Sequence, residues 1–406
     1  MSADNNSIRI HVNQLRIGMR VVRLETLDNE SPFLLDIIDI KTQADIQAIQ
    51  RVCDYVEVDV KWQKFQHGSI PTRASDASRQ LSFARSFKQT VNTFQQTTVL
   101  IKSVLDDIRF GNQFSVKAVK HAVSQCVDQV LENSDAMLLL TQLKNKDEYT
   151  AQHSMNVCIL SILLGRELNY SVAELNKIGE CGLLHDVGKM KVPLEILNKP
   201  SRLESDEAEV MRKHTVFGRD VLVSARNVYP GAVDVAYGHH ERLDGGGYPR
   251  GVGDSAIPEF TRLVAVVDAY DAITSDRVYQ RGQAHISALG ILSKEMHSHY
   301  DAGYVTKFIN CIGFYPQGNI VELSTGDVGI VVEQNKQDRL KPKILLLLDK
   351  DGKEIKRRIL DLAANIRDQN GQPYRVKLII RPQDSTIDLK GLLEEGVFTQ
   401  SYPLVS

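Results

Sequence analysis

The sequence predicts a mainly α chain, with a small α+β N-terminal module and a short β-rich C-terminal appendage. Three observations carry that expectation. Apolar residues recur at three- and four-residue spacing through the middle of the chain, two-residue alternation is confined to its ends, and turn-forming stretches separate the two regimes. With 406 residues and 42% hydrophobic content the chain can bury a sizeable core, and the expected divisions are 1–65, 66–140, 141–315 and 316–406.

Residues 1–65 make the α+β module. Ile8 to Val12 alternates in strand fashion, Gly18 punctuates, Val21 and Val22 continue an extended pattern, and Tyr55 to Val60 alternates again. Between them Ile46 and Ile49 share a helical face that Thr42 can cap. Trp62 sits at the exit, and Gln66 to Ser75 has the composition of a linker. His11 and His67 have no carboxylate or second histidine beside them, so a structural or exposed role is expected.

From about Asp76 the pattern turns helical, and 66–140 reads as a linker followed by a helical connection. Phe83, Phe87, Val91 and Phe94 lead into Val99, Ile101, Val104, Leu105 and Ile108, an apolar stripe that suits core packing better than a cofactor box. Gly111-Asn112 ends that helix and Ser115 can cap the next. Val116, Val119, Val123, Val127, Val130 and Leu131 mark the buried side of that second helix, and a third is expected over Asp135 to Lys144. His121 has no ligand context and is read as structural. A helical first half of this length also offers a surface for a homodimer.

Composition excludes several classes. The formal net charge of −2 argues against a nucleic acid polymer as partner. The cysteines, Cys53, Cys126, Cys158, Cys181 and Cys311, are odd in number and scattered without a Cys-x-x-Cys pair, so neither a disulfide framework nor a thiolate zinc site is expected. Met1 to Ser7 lacks the basic start and apolar core of a signal peptide, and no run approaches the roughly 18 to 20 apolar residues that span a bilayer. The expectation is a cytoplasmic protein without membrane insertion.

The chemistry lies in 141–315. Five of the eleven histidines fall between 153 and 240, four of them beside a second His, an Asp or a Thr-Val turn: His153 on an apolar helix, His185-Asp186, His214, and His239-His240. Mixed nitrogen and oxygen donors suit a borderline transition metal better than Mg or Ca, and the reading is a metal-dependent hydrolase. Adjacent residues on a helix point about 100° apart, but His185 and Asp186 can serve one site when the short carboxylate bridges two metals. Gly188 then allows a close turn and Lys189 supplies a cation. Ser205 is expected to cap a helix that ends near His214, where an imidazolium favoured by the helix dipole is the competing reading. The run Asp244-Gly245-Gly246-Gly247 lets backbone lie against a ligand, and Tyr248-Pro249 fixes an aromatic hydroxyl beside it. Asp268 and Asp271 share a helical face, and a carboxylate ending an apolar run needs a compensating charge. Arg277, Tyr279 and Arg281 offer cationic and aromatic groups to a phosphate and a base.

Taken together, Tyr149-Thr150-x-x-His153, His185-Asp186-x-Gly-Lys189, His214, His239-His240-Glu241-x-x-Asp244-Gly-x-Gly247-Tyr248-Pro249 and Asp268-x-x-Asp271-Ala resemble the HD-GYP family of bacterial cyclic di-GMP phosphodiesterases. The resemblance spans roughly 140 to 315, and the N-terminal module resembles an uncharacterised domain often fused ahead of such proteins. It implies an HD-type helical catalytic domain holding two divalent transition metal ions, iron or manganese first, with nickel, cobalt or zinc as alternatives. His153, His185, Asp186 and Asp268 would hold one ion, and Asp186 would bridge to a second held by His214, His239 and His240. Asp186 and Lys189 would be the catalytic pair; Lys189, Gly247, Tyr248, Pro249, Arg277 and Arg281 would face the substrate. Some members carry a Glu where this chain has Tyr149, which supports a third metal, so two are expected here; some carry a Lys where this chain has Gln280. The implied reaction is hydrolysis of the 3'-5' linkage of cyclic di-GMP to linear pGpG and onward to GMP. Cyclic GMP-AMP is the alternative substrate, and a cyclic-dinucleotide sensor or a mononucleotide phosphohydrolase the alternative functions. A diguanylate cyclase or another signalling protein is the expected protein partner.

Beyond about Gly313 strand alternation returns. Asn319 to Val332 reads as a hairpin around Thr325-Gly326-Asp327, and Lys343 to Leu348 as a strand leading into a turn.

Overall fold

The computed structural model describes residues 7–12, 15, 17, 19–25, 38–40, 42–50, 55–59, 76–143, 149–276, 281–335, 338–368 and 370–405. The chain divides into two compact units. Met1–Arg79, Asn319–Ile380 and Ser401–Ser406 make the first, and Gln80–Gly318 with Arg381–Gln400 the second.

In the first unit β1 (Ser7–His11), β2 (Arg20–Glu25), β3 (Ile38–Asp39), α1 (Gln43–Gln50) and β4 (Tyr55–Asp59) form an antiparallel sheet of order β1-β4-β2-β3 with one helix. The alternation expected of Tyr55 to Val60 places Val56 and Val58 inward, where they meet Val21, Ile40, Ile46 and Ile49. Thr42 caps α1 as expected: its Oγ1 accepts from Asp45 N at 3.2 Å while its own N–H donates to Asp45 Oδ2 at 2.7 Å. A second antiparallel sheet comprises β5 (Ile320–Leu323), β6 (Val328–Glu333), β7 (Lys343–Leu348), β8 (Glu354–Asp361) and β9 (Val376–Ile380), in the order β8-β7-β6-β5-β9. The β5–β6 turn is the expected Thr325-Gly326-Asp327, with Gly326 at φ 89° and its N–H donating to Leu323 O at 2.9 Å.

The second unit is helical. It runs through α2 (Asp76–Phe110), α3 (Val116–Glu132), α4 (Ser134–Thr141), α5 (Tyr149–Glu167) and α6 (Val172–Leu184), then α7 (Leu194–Leu197), α8 (Ser205–Arg212), α9 (His214–Ser224) and α10 (Pro230–Gly238). It ends with α11 (Glu259–Thr274), α12 (His285–Glu295), α13 (Ala302–Ile312) and α14 (Leu389–Glu394). α5 is its hub: Met155, Val157 to Leu160 and Ile162 to Leu164 are buried around the whole circumference, which fits a helix packed by α6, α11 and α13. Ser115 caps α3 by accepting from Ala118 N, and Ser171 with Glu174 forms a capping box on α6.

Several expectations are corrected here. The buried face of α2 runs through Phe87, Thr90, Thr93, Thr97, Ile101, Val104, Leu105 and Ile108, while Val91 and Phe94 are half-buried and Val99 is 69% exposed. Threonine holds these inward positions because its hydroxyl finds a partner, as where Thr90 Oγ1 donates to Gln129 Oε1 at 2.7 Å. Leu131 likewise lies 42% exposed, one position past the buried stripe of α3. The N-cap position of α8 belongs to Glu204, whose N–H donates to Glu207 Oε2 at 2.7 Å, and not to Ser205. The third helix is shorter than expected, and Lys144 lies outside the described residues, as do Trp62, His67 and Cys53. No helix among the described residues is long and apolar enough to cross a membrane.

Candidate metal centre

Five stretches of the helical unit converge on one buried point. α5 contributes His153 from its second turn, and the last turn of α6 delivers His185 at its C-cap. Asp186 follows and opens a 3-10 segment, Val187–Lys191. His214 is the first residue of α9, two residues beyond the end of α8, and His239 is the C-cap of α10 with His240 next to it. α11 brings Asp268. Gly188 makes this convergence sterically feasible: a Cβ there would lie 1.9 Å from His214 O and 2.3 Å from Gly218 N, so the 3-10 segment packs backbone to backbone on α9.

The Asp186 carboxylate lies between two groups of imidazoles. Its Oδ2 is 3.4 Å from His153 Nε2 and 3.2 Å from His185 Nε2, and its Oδ1 is 3.4 Å from His214 Nε2 and 3.6 Å from His239 Nε2. Asp268 Oδ1 closes the first group at 3.0 Å from His153 Nε2 and 3.6 Å from His185 Nε2. His240 closes the second, its ring centroid 4.1 Å from that of His239 and 5.1 Å from that of His214. His153, His185 and Asp268 have donor atoms within 4.8 Å of one another, and so do His214, His239 and His240, and His185, Asp186 and His239. His185, His239 and Asp186 are at most 2% exposed.

Four of the five rings are turned inward by a bond on the other nitrogen. His185 Nδ1 donates to Gly182 O at 2.8 Å, His214 Nδ1 to Met211 O at 2.8 Å and His239 Nδ1 to Val235 O at 2.9 Å. A carbonyl only accepts, so these bonds place a proton on Nδ1 and aim Nε2 at the centre. His153 uses a carboxylate instead: its Nδ1 meets Asp271 Oδ2 at 2.8 Å, and Asp271 also accepts from Asn156 Nδ2 at 2.9 Å.

The electrostatics fit a cation. Burial alone would raise Asp186, but Lys189 and His185 hold its carboxyl well below the usual carboxylate range. Asp268 is likewise held low, against its burial, by the adjacent His153 and His185 rings. Burial pushes His214 down to about 3 and His240 well below the ordinary range, so both stay neutral donors. That counts against the imidazolium reading of His214. For His185 burial works downward, but the Asp186 and Asp268 carboxylates more than offset it and lift the ring to about 9. His185 Nε2 and Asp186 Oδ1 are buried without a hydrogen-bond partner. Such atoms are costly to leave bare. Inward imidazole nitrogens, two carboxylates and orphaned buried polar atoms together suit a borderline divalent metal.

Around the centre, Lys189 Nζ contacts Asp186 Oδ2. The Tyr248 ring stacks on His240 with centroids 4.8 Å apart and an interplanar angle of 28°, and the Tyr248–Pro249 peptide is cis. Gly247 is explained by the protein's own backbone: a Cβ there would come within 2.5 Å of Glu241 Cα and His240 O, so the loop folds back on the histidine pair, and Tyr248 N donates to His240 O at 3.1 Å. Within the expected glycine run only Gly245 has positive φ, at 76°. The Arg281 side chain is 78% exposed and paired with Asp384. Arg277, Tyr279 and Gln280 lie outside the described residues, as does the Tyr149 side chain.

Three supporting residues had no role assigned from sequence. Asp271 orients His153, Asn156 orients Asp271, and buried Glu241 accepts from Arg250 N at 2.8 Å and Val252 N at 3.2 Å, tying the loop that bears Tyr248. The available signal was spacing: Asn156 follows His153 by three positions and Asp271 follows Asp268 by three, so each shares a helical face with a candidate ligand.

Three family models match successive stretches of the chain: a domain of unknown function (DUF3391) over 7–119, an HD domain over 137–303, and a KOW domain associated with HD domain over 320–367. A cyclic di-GMP phosphodiesterase of Pseudomonas aeruginosa is 33% identical over 376 residues, which covers 87% of this chain and 88% of that protein. A 3'3'-cGAMP-specific phosphodiesterase of Vibrio cholerae is 34% identical over 156 residues, 38% of this chain and 34% of that protein. A solved structure of an HDG"Y"P protein from Bdellovibrio bacteriovorus aligns with a TM-score of 0.48 and 14% identity, over 75% of this chain and 98% of that one.

Proposed function

The chain belongs to the HD-GYP family of cyclic di-GMP phosphodiesterases, and from that premise we propose that it hydrolyses the 3'-5' linkage of cyclic di-GMP at a centre of two divalent transition metal ions. The observation that carries the binuclear part is the division of Asp186, one oxygen toward His153 and His185 and the other toward His214 and His239. A single carboxylate placed in this way is suited to bridging. His153, His185 and Asp268 would complete one coordination set, and His214, His239 and His240 the other. Tyr149, in place of a further carboxylate, supports two ions over three, with iron or manganese as the first expectation.

Such a pair of ions, when bound, supplies hydroxide near neutral pH and neutralises phosphodiester oxygens. The chain's own contribution is placement. Asp186 holds Lys189, whose side chain keeps 20% of its surface exposed, so its ammonium can meet negative charge growing on the scissile phosphate. Tyr248, backed by His240, offers a ring edge and a hydroxyl beside the same centre. Gly247 and Pro249 set the position of Tyr248, and Arg277 and Arg281 belong to the proposed substrate-facing set. The product is linear pGpG, with GMP from a second cleavage. Cyclic GMP-AMP is retained as a second substrate because the Vibrio cholerae relative matched across this region is named as specific for it.

The test is metal analysis of anaerobically purified protein, paired with turnover on both cyclic dinucleotides. Absence of pGpG from protein carrying two ions per chain sinks the enzymatic reading. A His185→Ala variant with unchanged metal content sinks the ligand assignment.

A further inference from the structure

We propose that Arg212 is a substrate-binding residue that takes the second, non-scissile phosphate of the cyclic dinucleotide. The inference rests on the phosphodiesterase reading above.

Arg212 closes α8, two residues before His214. Its guanidinium carbon lies 5.7 Å from the centroid of the Tyr248 ring, which in turn stacks on His240. From the metal centre outward, the order is therefore imidazole, phenol, guanidinium. Arg212 is exposed, and among the described residues no carboxylate pairs with it. Three other arginines of this unit differ in this respect. Arg242 is held by Asp244, Arg219 by Asp220 and Arg262 by Asp254. A guanidinium against an aromatic ring keeps its planar set of N–H donors for an anion, and phosphate is the geometry it matches. A cyclic dinucleotide carries two phosphates joined in one ring. When one sits at the ions with Lys189, the other needs a cation farther from the centre on the same wall, and Arg212 offers one.

A bland account exists: a cation in the last turn suits the carbonyl end of α8. It makes a different prediction, because it concerns folding and not substrate size. The experiment therefore compares Arg212→Ala and Arg212→Lys on two substrates, cyclic di-GMP and bis(p-nitrophenyl) phosphate, whose single phosphate engages the ions alone. For Arg212→Ala the KM for cyclic di-GMP should rise about tenfold or more, the usual scale of a lost charge-assisted contact. Its kcat, its metal content and both constants for the small diester should stay within about twofold of wild type. Arg212→Lys should recover part of the KM, since it keeps the charge but not the fork. The proposal falls if Arg212→Ala leaves the cyclic di-GMP KM within about twofold, or if both substrates lose activity in parallel. Wild-type protein that cleaves the small diester but neither cyclic dinucleotide defeats the function reading instead, which separates the two failures.

Discussion

Replacing Asp271 with asparagine tests how one ligand is held. Asp271 is 1% exposed, and its two oxygens accept separately, Oδ2 from His153 Nδ1 at 2.8 Å and Oδ1 from Asn156 Nδ2 at 2.9 Å. An amide at this position has one acceptor oxygen and one NH2. Whichever way it turns, one of the two donors faces another donor. A buried donor left unsatisfied costs about 1–3 kcal/mol, and that is the expected loss of stability in the metal-free protein. Turned with its oxygen to Asn156, the amide releases the His153 ring. Loss of such an outer partner lowers metal affinity about 10–100-fold, equivalent to about 1.4–2.7 kcal/mol. His185, His214 and His239 keep their carbonyl partners, so only the set containing His153 should weaken. Competition against a chromophoric chelator should therefore resolve one weakened and one unchanged binding step. Two steps within about twofold of wild type, with metal-free stability within about 0.5 kcal/mol, would refute the orienting role.

Two further outcomes follow from the packing. Gly188→Ala puts a methyl carbon 1.9 Å from His214 O and 2.3 Å from Gly218 N, both backbone atoms that cannot rotate aside. It should cost about 3 kcal/mol or more and lower metal content, and a denaturant midpoint equal to wild type contradicts the close approach. His285 is buried, accepts from Tyr270 Oη at 2.7 Å on Nδ1 and donates from Nε2 to Gly313 O at 2.9 Å. Burial holds its pKa at about 4, below the unfolded value, so its share of stability is complete above the ordinary histidine range and is lost as pH falls toward 4. Between about pH 7 and about pH 5 wild type should lose about 2 kcal/mol more than His285→Gln, and parallel pH profiles in chemical unfolding contradict this.

How much was legible in the sequence depends on whether a feature was local. Val56 and Val58 in β4, the Thr42 cap of α1 and the Gly326 turn were readable because two-residue alternation, capping and positive φ are decided within a few residues. The inward face of α2 is hidden from the periodicity because it is partly threonine: Thr90 donates there to Gln129 on α3, a partner thirty-nine residues away. The packing of Gly247 was not legible, because its neighbours Glu241 and His240 come close only after the loop has folded back.

The same distinction explains the centre. His185, His214 and His239 each follow a helix end, and each donates from Nδ1 to a carbonyl of the helix just before it: Gly182 O, Met211 O and Val235 O, the last of which also receives His239 N at 2.9 Å. A histidine just past a predicted helix thus carries its own orienting partner, and the sequence contains that information. His153, in the second turn of α5, is oriented differently. It needs an acceptor from elsewhere, and a carboxylate serves, brought by α11 from more than a hundred positions along the chain. The spacing of Asp268 and Asp271 follows from the two tasks. The first faces the centre and the second, three residues on, reaches the far side of the same imidazole, so a single turn of α11 supplies one oxygen to each nitrogen of His153.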